Sequence, residues 1–259
     1  DSPLVAGDRT WCHAFRHVTS VLAPPQRPRR SGHDRPIKLM AHNTARKITM
    51  PSGELKSVKL EIDWSVQTML PIEFAGSEIA LEAHAYQGRE PDTQAVALVH
   101  RRDPAADAVP VVRLHSGCVT GDVFHSLRCD CHAQLKAALG RITSEPLGVL
   151  IYLPYQEGRG IGLFRKIKAY ALQDQGLDTV DANLEQGQPI DARDYAFAGE
   201  ILKDLGLTRV RLMTNNPDKI EALSAAGIEV VERIPVIINP SAHNKAYLET
   251  KRKRLAHEL

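Results

Sequence analysis

Three of the four cysteines lie close together, at Cys118, Cys129 and Cys131. Three thiolates at this spacing can face one ion if the backbone between the last two is irregular. Three protein ligands leave a fourth tetrahedral position open, as in catalytic zinc sites, whereas structural zinc sites use four. Three buried, unligated thiols are the alternative. The segment also contains three polar side chains that make a poor core: Arg128, Asp130 and His132. The pattern therefore favours zinc.

A glycine-rich turn, Q-E-G-R-G-I-G at 156–162, lies between an apolar strand pattern and a helical one. Glycines let the backbone approach a ligand closely, and the N-terminus of the following helix offers unpaired N–H groups to an anion. Glu157 adds a carboxylate that suits the N–H edge of a base, and Arg159 adds a guanidinium that suits phosphate. The turn matches neither the P-loop nor the dinucleotide fingerprint, and a plain tight turn is the alternative.

Two further stretches repeat this arrangement of polar residues before a helix. T-N-N-P at 214–217, with Lys219, predicts a second anion site at a helix start. Asp191 and Arg193 lie in D-A-R-D, where capping of the next helix by an acid is the simpler interpretation. Tyr170, on the helix after the glycine turn, is more often a core residue. Two anion sites beside a zinc loop predict a phosphorylated substrate brought to an activated water.

The elements that must position these residues follow from hydrophobic periodicity. Strands are predicted at 58–62, 79–86, 95–100, 109–114, 148–153, 210–213 and 229–234. Helices are predicted at 131–142, 163–175, 195–205, from the 214–217 loop to 226, and at 244–259. The first half is thus β-rich and the second half alternates strand and helix. This order predicts an α+β or α/β fold, with a mixed sheet that contains parallel pairs.

Composition limits the function classes. The chain has 259 residues, 43% hydrophobic and 25% charged, which is ordinary for a globular protein. It has no apolar run of about 18 residues, so we expect no membrane-spanning helix. Clustered cysteines do not resemble a secreted disulfide framework, which favours the cytoplasm. Residues 1–50 carry a net charge of +6, which leaves −4 for the rest, so the main body is not a broad polyanion-binding surface.

Three regions are predicted along the chain. Residues 1–35, rich in Pro and Arg, are expected to be a mobile basic extension. Residues 36–71 form an accessory segment whose purpose the sequence does not reveal. Residues 72–259 form the catalytic domain. A nucleic-acid-binding role for the basic extension is a distant alternative that would require strongly salt-dependent binding.

Three long motifs carry a family resemblance: RLHSGCVTGDVFHSLRCDC, YQEGRGIGLFRKIKAYALQDQGLDTVDAN and VRLMTNNPDKIEAL. Together they closely resemble GTP cyclohydrolase II, over about residues 72–257. The resemblance implies hydrolytic opening of the guanine imidazole ring, with loss of C8 as formate and release of diphosphate. The product would be 2,5-diamino-6-ribosylamino-4(3H)-pyrimidinone 5′-phosphate, a precursor of riboflavin. The resemblance also implies a cytoplasmic homodimer that uses one Zn²⁺ per chain, and Mg²⁺ is expected on the triphosphate.

The resemblance assigns roles residue by residue. The zinc ligands would be Cys118, Cys129 and Cys131. The nucleotide-binding residues would be Arg113, Leu114, His115, Ser116, Gly117, Gln134, Glu157, Gly158, Arg159, Thr179, Thr214 and Lys219. Asp191 would accept a proton and Tyr170 would assist ring opening as a hydrogen-bond partner. Arg193 matches a residue proposed as the nucleophile at the α-phosphate, although a guanidinium is better suited to stabilising phosphate charge.

Three positions depart from the family pattern. Gly117 replaces an acid, Tyr155 marks an extra residue before Gln-Glu-Gly-Arg where an arginine is usual, and His132 replaces a small residue. All three lie near the predicted metal or base pocket, whereas the phosphate-binding residues are intact. The alternative that follows is a homologous zinc hydrolase that opens the ring of a uracil nucleotide. A catalytically silent nucleotide-binding module is a further alternative.

Overall fold

A computed structural model describes residues 62–102, 105 and 107–238 of the chain. The strands are β1 (Ile62–Phe74), β2 (Ser77–Gly88), β3 (Gln94–Arg101), β4 (Val111–Ser116), β5 (Leu147–Leu153), β6 (Arg209–Met213) and β7 (Glu229–Ile234). The α-helices are α1 (Cys131–Ser144), α2 (Leu163–Asp174), α3 (Thr179–Leu184), α4 (Ala196–Asp204) and α5 (Pro217–Ala225). A π-helical turn at Val119–Val123 and a 3-10 turn at Pro154–Gln156 complete the described helical elements.

The strands of this region form one mixed sheet in the order β1-β2-β3-β5-β4-β6-β7. The first half of the order, from β1 to β5, is antiparallel, and the β1–β2 pairing has one irregularity between Ile62 and Trp64. The second half, from β5 through β4 and β6 to β7, is parallel. The predicted fold class, a mixed sheet with a β-rich first half and an alternating second half, is confirmed.

The centre of the sheet is buried on both faces, as expected for strands covered by helices on each side. In β5, Val149 and Ile151 pack into the larger core cluster, which also contains Phe197 of α4. Leu150 points to the opposite cluster, where it meets Ile142 of α1. Burying a side chain such as Phe197 contributes about 1.5–3 kcal/mol. The two cores fix the helices against the sheet and so fix the loops at its edge.

The parallel strands bring three distant motifs to one edge. β4 pairs with both β5 and β6, so the carboxyl ends of these three strands, Ser116, Leu153 and Met213, lie at the same side of the sheet. The cysteine segment follows β4, the glycine turn follows β5 and T-N-N-P follows β6. Ligands of open α/β sheets bind outside the carboxyl ends of their strands. The fold therefore places the predicted metal and anion sites together.

Most predicted elements of the described region lie within two residues of the observed ones. Helix α3 was not predicted, because only six residues form it; the side chain of Asp178 caps its first N–H groups. The strand predicted at 58–62 lies outside the described residues except for Ile62, the first residue of β1. The rest of β1 was not predicted, because Pro71 in its sequence argues against a strand. Pro71 is tolerated because β1 is the edge strand of the sheet.

Several predictions fall partly or wholly outside the described residues: the extension 1–35, most of the accessory segment 36–71, and the helix 244–259. β1 runs across the predicted boundary at 71–72, and the division of the chain into domains stays a prediction. Among the described helices, none has the length and apolarity that a membrane crossing needs.

Candidate metal centre and anion pocket

The three predicted ligand cysteines converge. Their Sγ atoms all lie within 4.8 Å of one another, and those of Cys118 and Cys129 are 3.7 Å apart. Cys131 is the first residue of α1, and Cys129 lies in the irregular segment before it, which is the backbone shape that a two-residue spacing requires. Sulfur atoms about 3.8 Å apart are expected around a tetrahedral zinc with Zn–S bonds of about 2.3 Å. The donor set therefore fits a zinc ion.

Gly121, in the π-helical turn, keeps the space beside the sulfur atoms open. A Cβ at this position would lie 2.9 Å from Cys129 Sγ and 3.0 Å from Cys118 Sγ. The backbone N–H of Gly121 also donates to Cys118 Sγ at 3.3 Å. Glycine is thus required here for close approach, and the turn supplies a hydrogen bond to one of the three thiolates.

The thiols have different acidities in the absence of metal. Hydrogen bonds from Cys129 and Cys131, with the nearby Lys166 ammonium, lower the pKa of Cys118. The hydrogen bond to Cys118 and burial raise the pKa of Cys129 to about 11. The same causes raise the pKa of Cys131. Because the pKa values of Cys129 and Cys131 are raised, a metal ion that binds all three sulfurs must displace protons.

A buried network fixes the start of the cysteine segment. The Asp122 carboxylate accepts from the backbone N–H of Cys118 and from the Tyr152 hydroxyl, both at 3.0 Å. His115 Nε2 lies 3.1 Å from the same carboxylate, and burial lowers the pKa of His115. A neutral imidazole whose Nε2 donates to Asp122 leaves Nδ1 as an acceptor. Nδ1 has no protein partner among the described residues.

A cavity with a cationic lining, here called the anion pocket, adjoins the sulfur cluster. It is lined by Arg113, His115, Ser116, Cys131, Gln134, Arg159, Arg193, Thr214, Asn215, Asn216 and Lys219. Four of these side chains are cationic and none carries a carboxylate. Arg113 donates to the Met213 carbonyl at 2.9 Å, and Lys219 donates to the Leu114 carbonyl at 2.7 Å, so both cations are held in place. The pocket is suited to a polyanion such as a nucleotide phosphate chain.

The cavity beside the sulfur atoms, the metal pocket, shares a wall with the anion pocket. It is lined by Ser116, Gly117, Cys118, Cys129, Cys131, Gln156, Gly158, Arg159, Ile161, Lys166, Ala169, Tyr170, Gln173, Thr179, Asn183 and Arg193. Four residues line both pockets: Ser116, Cys131, Arg159 and Arg193. A ligand whose charged end occupies the anion pocket can therefore present its other end to the sulfur cluster.

Asp191 and Arg193 form an ion pair next to the shared wall. The Arg193 guanidinium binds the Asp191 carboxylate through two nitrogens, with Nε 2.8 Å from Oδ1, and the Arg193 backbone N–H donates to the same oxygen. Burial alone would raise the pKa of Asp191, but the hydrogen bonds and charge of Arg193 outweigh it and lower that pKa. While the pair is closed, Asp191 is a weak base.

Known proteins resemble this chain over most of the described region. The family model described as GTP cyclohydrolase II matches residues 64–235. The chain belongs to the GTP cyclohydrolase II family. It is 47% identical to a protein named GTP cyclohydrolase-2 from Picrophilus torridus. The alignment of 196 residues covers 76% of this chain and 98% of that protein. The protein named GTP cyclohydrolase-2 from Streptomyces coelicolor is 46% identical over 207 residues, and the alignment covers 80% of this chain and 91% of that protein.

Longer relatives are also similar to this chain. The riboflavin biosynthesis protein RibBA of Aquifex aeolicus is 51% identical over 174 residues, which cover 67% of this chain and 43% of that protein. This chain thus spans about two fifths of the RibBA relatives that it matches, and nearly the full length of the GTP cyclohydrolase-2 relatives. The region that the family model matches, residues 64–235, contains the lining of both pockets.

The family residues predicted from the sequence gather at this site with three exceptions. Most of them line the metal pocket, the anion pocket or both. Leu114 is buried in the core and reaches the site only through its carbonyl, which accepts from Lys219. Asp191 adjoins the pockets through Arg193. Glu157, which the sequence suggested for the base edge, turns its carboxylate to the cysteine segment, where it accepts from Val119 N at 2.6 Å.

Two departures from the family pattern are structurally linked. A Cβ at Gly117 would lie 2.9 Å from the Pro154 Cα and 3.2 Å from the Leu153 carbonyl oxygen. The 3-10 turn that contains Pro154 and Tyr155 thus occupies the space into which a side chain at 117 would project. Gly117 therefore lies directly against the 3-10 turn, which leaves no room for a side chain at this position.

Two residues to which the sequence assigned no role, Gln156 and Lys166, contact predicted site residues. Gln156 is buried; its side-chain carbonyl accepts from the Ser116 hydroxyl at 2.6 Å, and its amide donates to the Asp194 carbonyl. Lys166, in α2, lies 3.0 Å from Cys118 Sγ. It precedes Tyr170 by four residues, so the helical period could have placed both on the same face. Gln156 gave no such signal, because its partners are distant in sequence.

Proposed function

We propose that this chain hydrolyses GTP by the GTP cyclohydrolase II reaction of riboflavin biosynthesis. In this reaction the guanine imidazole ring opens, C8 leaves as formate, and diphosphate is released. The observation that carries the proposal is the shared wall between a three-thiol cluster and a cationic pocket that has no carboxylate in its lining. The names of relatives that match nearly their full length support GTP as the substrate.

We assign the three cysteines to one Zn²⁺. Three sulfur donors that adjoin a cavity leave room for a fourth, exchangeable ligand, as catalytic zinc sites require. When bound, zinc supplies Lewis-acid activation of water at neutral pH. Gly121 and the Asp122 network hold the sulfur-bearing segment, so the protein contributes a preformed site rather than one that the metal must assemble.

The cationic side chains bind and orient the phosphate chain. Arg113, Arg159 and Lys219 supply charge in the anion pocket, and Thr214 lies at the start of the T-N-N-P loop. The neutral His115 Nδ1 suits a hydroxyl donor such as that of a ribose better than it suits a phosphate. Charge that these groups do not offset would be carried by Mg²⁺ on the phosphates.

Arg193 spans both pockets and is suited to stabilising charge at the α-phosphate as diphosphate leaves. Its ion pair with Asp191 orients the guanidinium in the absence of ligand. If a phosphate draws Arg193 away, Asp191 loses the partner that lowers its pKa and becomes a better proton acceptor. Tyr170 lines the metal pocket; burial raises its pKa to about 12, so it remains a neutral hydrogen-bond donor at physiological pH.

The proposal extends to the state of the protein in the cell. Three thiols that bind a metal must stay reduced, which supports a cytoplasmic location. The family resemblance implies a homodimer, and light scattering of the purified protein at micromolar concentration would test it.

Turnover of zinc-loaded protein on GTP, with UTP, UMP and uridine in parallel, tests the proposed function. We expect formate and diphosphate from GTP alone. Cys129→Ser is the matched control, since a site with two thiolates binds zinc poorly and should lose metal and turnover together. No formate from GTP, with ring opening of a uracil nucleotide, would instead support the pyrimidine alternative. No turnover of any nucleotide would contradict an enzymatic role.

A further inference from the structure

One buried lysine has no role in the reaction as described above. Lys166, in α2, has a side chain that is only 11% exposed. Its Nζ lies 3.0 Å from Cys118 Sγ and 2.6 Å from Glu157 Oε1. Burying an ammonium is costly unless it is paired and hydrogen-bonded. The lysine is therefore held in this position by two anionic partners, one of which is a predicted metal ligand.

Glu157 anchors the other side of this lysine. Its Oε2 accepts from the Val119 N–H at 2.6 Å, and its Oε1 accepts from the Gly158 N–H at 3.0 Å as well as from Lys166. The contacts close a ring that runs from Cys118 through Lys166 and Glu157 to Val119, the residue next to Cys118. The Glu157 carboxylate and the Lys166 ammonium thus hold two successive residues near the start of the cysteine segment, Cys118 and Val119.

Charge gives the Lys166–Glu157 pair a further effect. Three thiolates and one divalent cation carry a net charge of −1, and this excess is partly buried. The ammonium is the cationic side chain that the structure places in hydrogen-bonding contact with a thiolate of the cluster. A hydrogen bond from a charged donor fixes the direction of the Cys118 sulfur and offsets negative charge on it. Glu157 holds the ammonium at this point without touching the sulfur atoms.

We infer that Lys166, held by Glu157, is a positioning residue of the metal centre that orients the Cys118 thiolate and strengthens zinc binding. This inference rests on the metal site of the proposed function. Partners of this kind, outside the ligand set, change metal affinity by about 10–100-fold when removed. The same contact would tune the electronic properties of the sulfur–metal bond.

Zinc affinity, measured by competition with a chelator, tests the inference. The variant is Lys166→Met combined with Glu157→Gln, because Lys166→Met alone would leave a buried carboxylate unpaired. We expect its zinc dissociation constant to rise about tenfold or more. Lys166→Arg keeps the charge and should remain closer to the wild type. Lys168→Met, at an exposed position of the same helix, is the matched control and should bind zinc as the wild type does.

Replacing zinc with cobalt gives a second measurement, an absorption band that would stay unchanged if Lys166 only stabilised the fold. The thiolate-to-cobalt charge-transfer band should shift in the double variant and stay in place in Lys168→Met. A folded double variant with wild-type zinc affinity and an unshifted band would overturn the inference while leaving the zinc site intact. If the double variant does not fold, Lys166→Gln carries the same test. A wild-type protein that binds no stoichiometric zinc would overturn the metal site itself.

Discussion

At the scale of single residues, the site depends on contacts that hold its chemical groups in place. Gly121 leaves room for three sulfur atoms, and Asp122 holds the backbone that carries the first of them. Asp191 and Arg193 restrain each other until a ligand competes for the guanidinium. The chemistry-bearing side chains are therefore placed by space and hydrogen bonds that can each be removed by one substitution.

Gly121→Ala should abolish stoichiometric zinc binding while the domain still folds. The new Cβ would lie 2.9 Å from Cys129 Sγ, so the sulfur atoms must move apart. Metal content after dialysis, with thermal unfolding of the same sample, measures both effects. Gly140→Ala is the control, because its Cβ would meet Phe74 at 3.6 Å, an ordinary contact, within helix α1. Full zinc content in Gly121→Ala would contradict the assignment of this glycine.

The Asp191–Arg193 pair predicts a pH dependence of stability. The folded-state pKa of Asp191 lies below its unfolded value of about 4. Its stabilising contribution is thus fully present above pH 4 and is lost as the pH falls through the lower, folded value. The melting-temperature difference between wild type and Asp191→Asn should be constant from pH 5 to 7 and shrink below pH 4. A difference that grows in acid would contradict the pairing.

At the scale of elements, helix α1 connects the core to the metal centre. Cys131 is its first residue, and its other end packs on β5, where Gly148 lets the helix approach. A Cβ at Gly148 would lie 2.4 Å from the Ile142 carbonyl oxygen, which is backbone and cannot move aside. The distance between helix and sheet therefore also sets where the third sulfur lies.

Gly148→Ala should destabilise the domain by about 1–3 kcal/mol, the usual cost of overpacking a core. It should also weaken zinc binding, although the substitution lies at the far end of α1 from Cys131. Urea unfolding of the metal-free protein and chelator competition measure the two effects separately. Unchanged stability would show that the helix can shift without cost.

The 3-10 turn at Pro154–Gln156 is a second element that joins parts of the site. Its Gln156 connects Ser116, on the shared wall, with Asp194 in the segment that carries Arg193. Gln156→Ala should cost about 1–3 kcal/mol through the lost buried hydrogen bonds. We expect a lower kcat with unchanged zinc content, measured against Gln67→Ala on the exposed β1 strand. Loss of zinc would indicate that the turn supports the cysteines instead.

At the scale of the whole molecule, one sheet edge gathers the site. β4, β5 and β6 end side by side, and the loops that follow them supply the thiols, the glycine turn and the second anion loop. Every residue of both pockets lies between 113 and 219. The region matched by the family model, 64–235, contains all of them.

Deletion of residues 1–55 should therefore leave zinc stoichiometry unchanged and kcat/KM for GTP within about threefold of the full chain, because the family match begins at residue 64 and the lining of both pockets begins at residue 113. The measurement is formate release by the two proteins at matched zinc content. A large loss of turnover with zinc retained would assign residues 1–55 a part in substrate binding.

The sequence predicted those parts of the fold and site that depend on local pattern. Apart from α3, the described strands and helices from 77 onward follow hydrophobic periodicity, and the cysteine spacing predicted a cluster that the structure confirms. Contacts between distant segments were not predictable in this way. Glu157 lies in the right turn, but its carboxylate faces Val119 and Lys166, because the Val119 N–H, 38 residues away, and the Lys166 ammonium donate to it. Gln156 escaped notice for the same reason.

The close approach of Gly117 and Pro154 makes the residue at position 117 and the conformation of the 3-10 turn interdependent. Any Cβ at 117 would meet the Pro154 Cα at 2.9 Å, and this contact is with backbone rather than with a flexible side chain. The two segments are thus expected to be epistatic. Gly117→Glu alone should be harmful, whereas the same substitution should be tolerated in a variant whose turn is shortened.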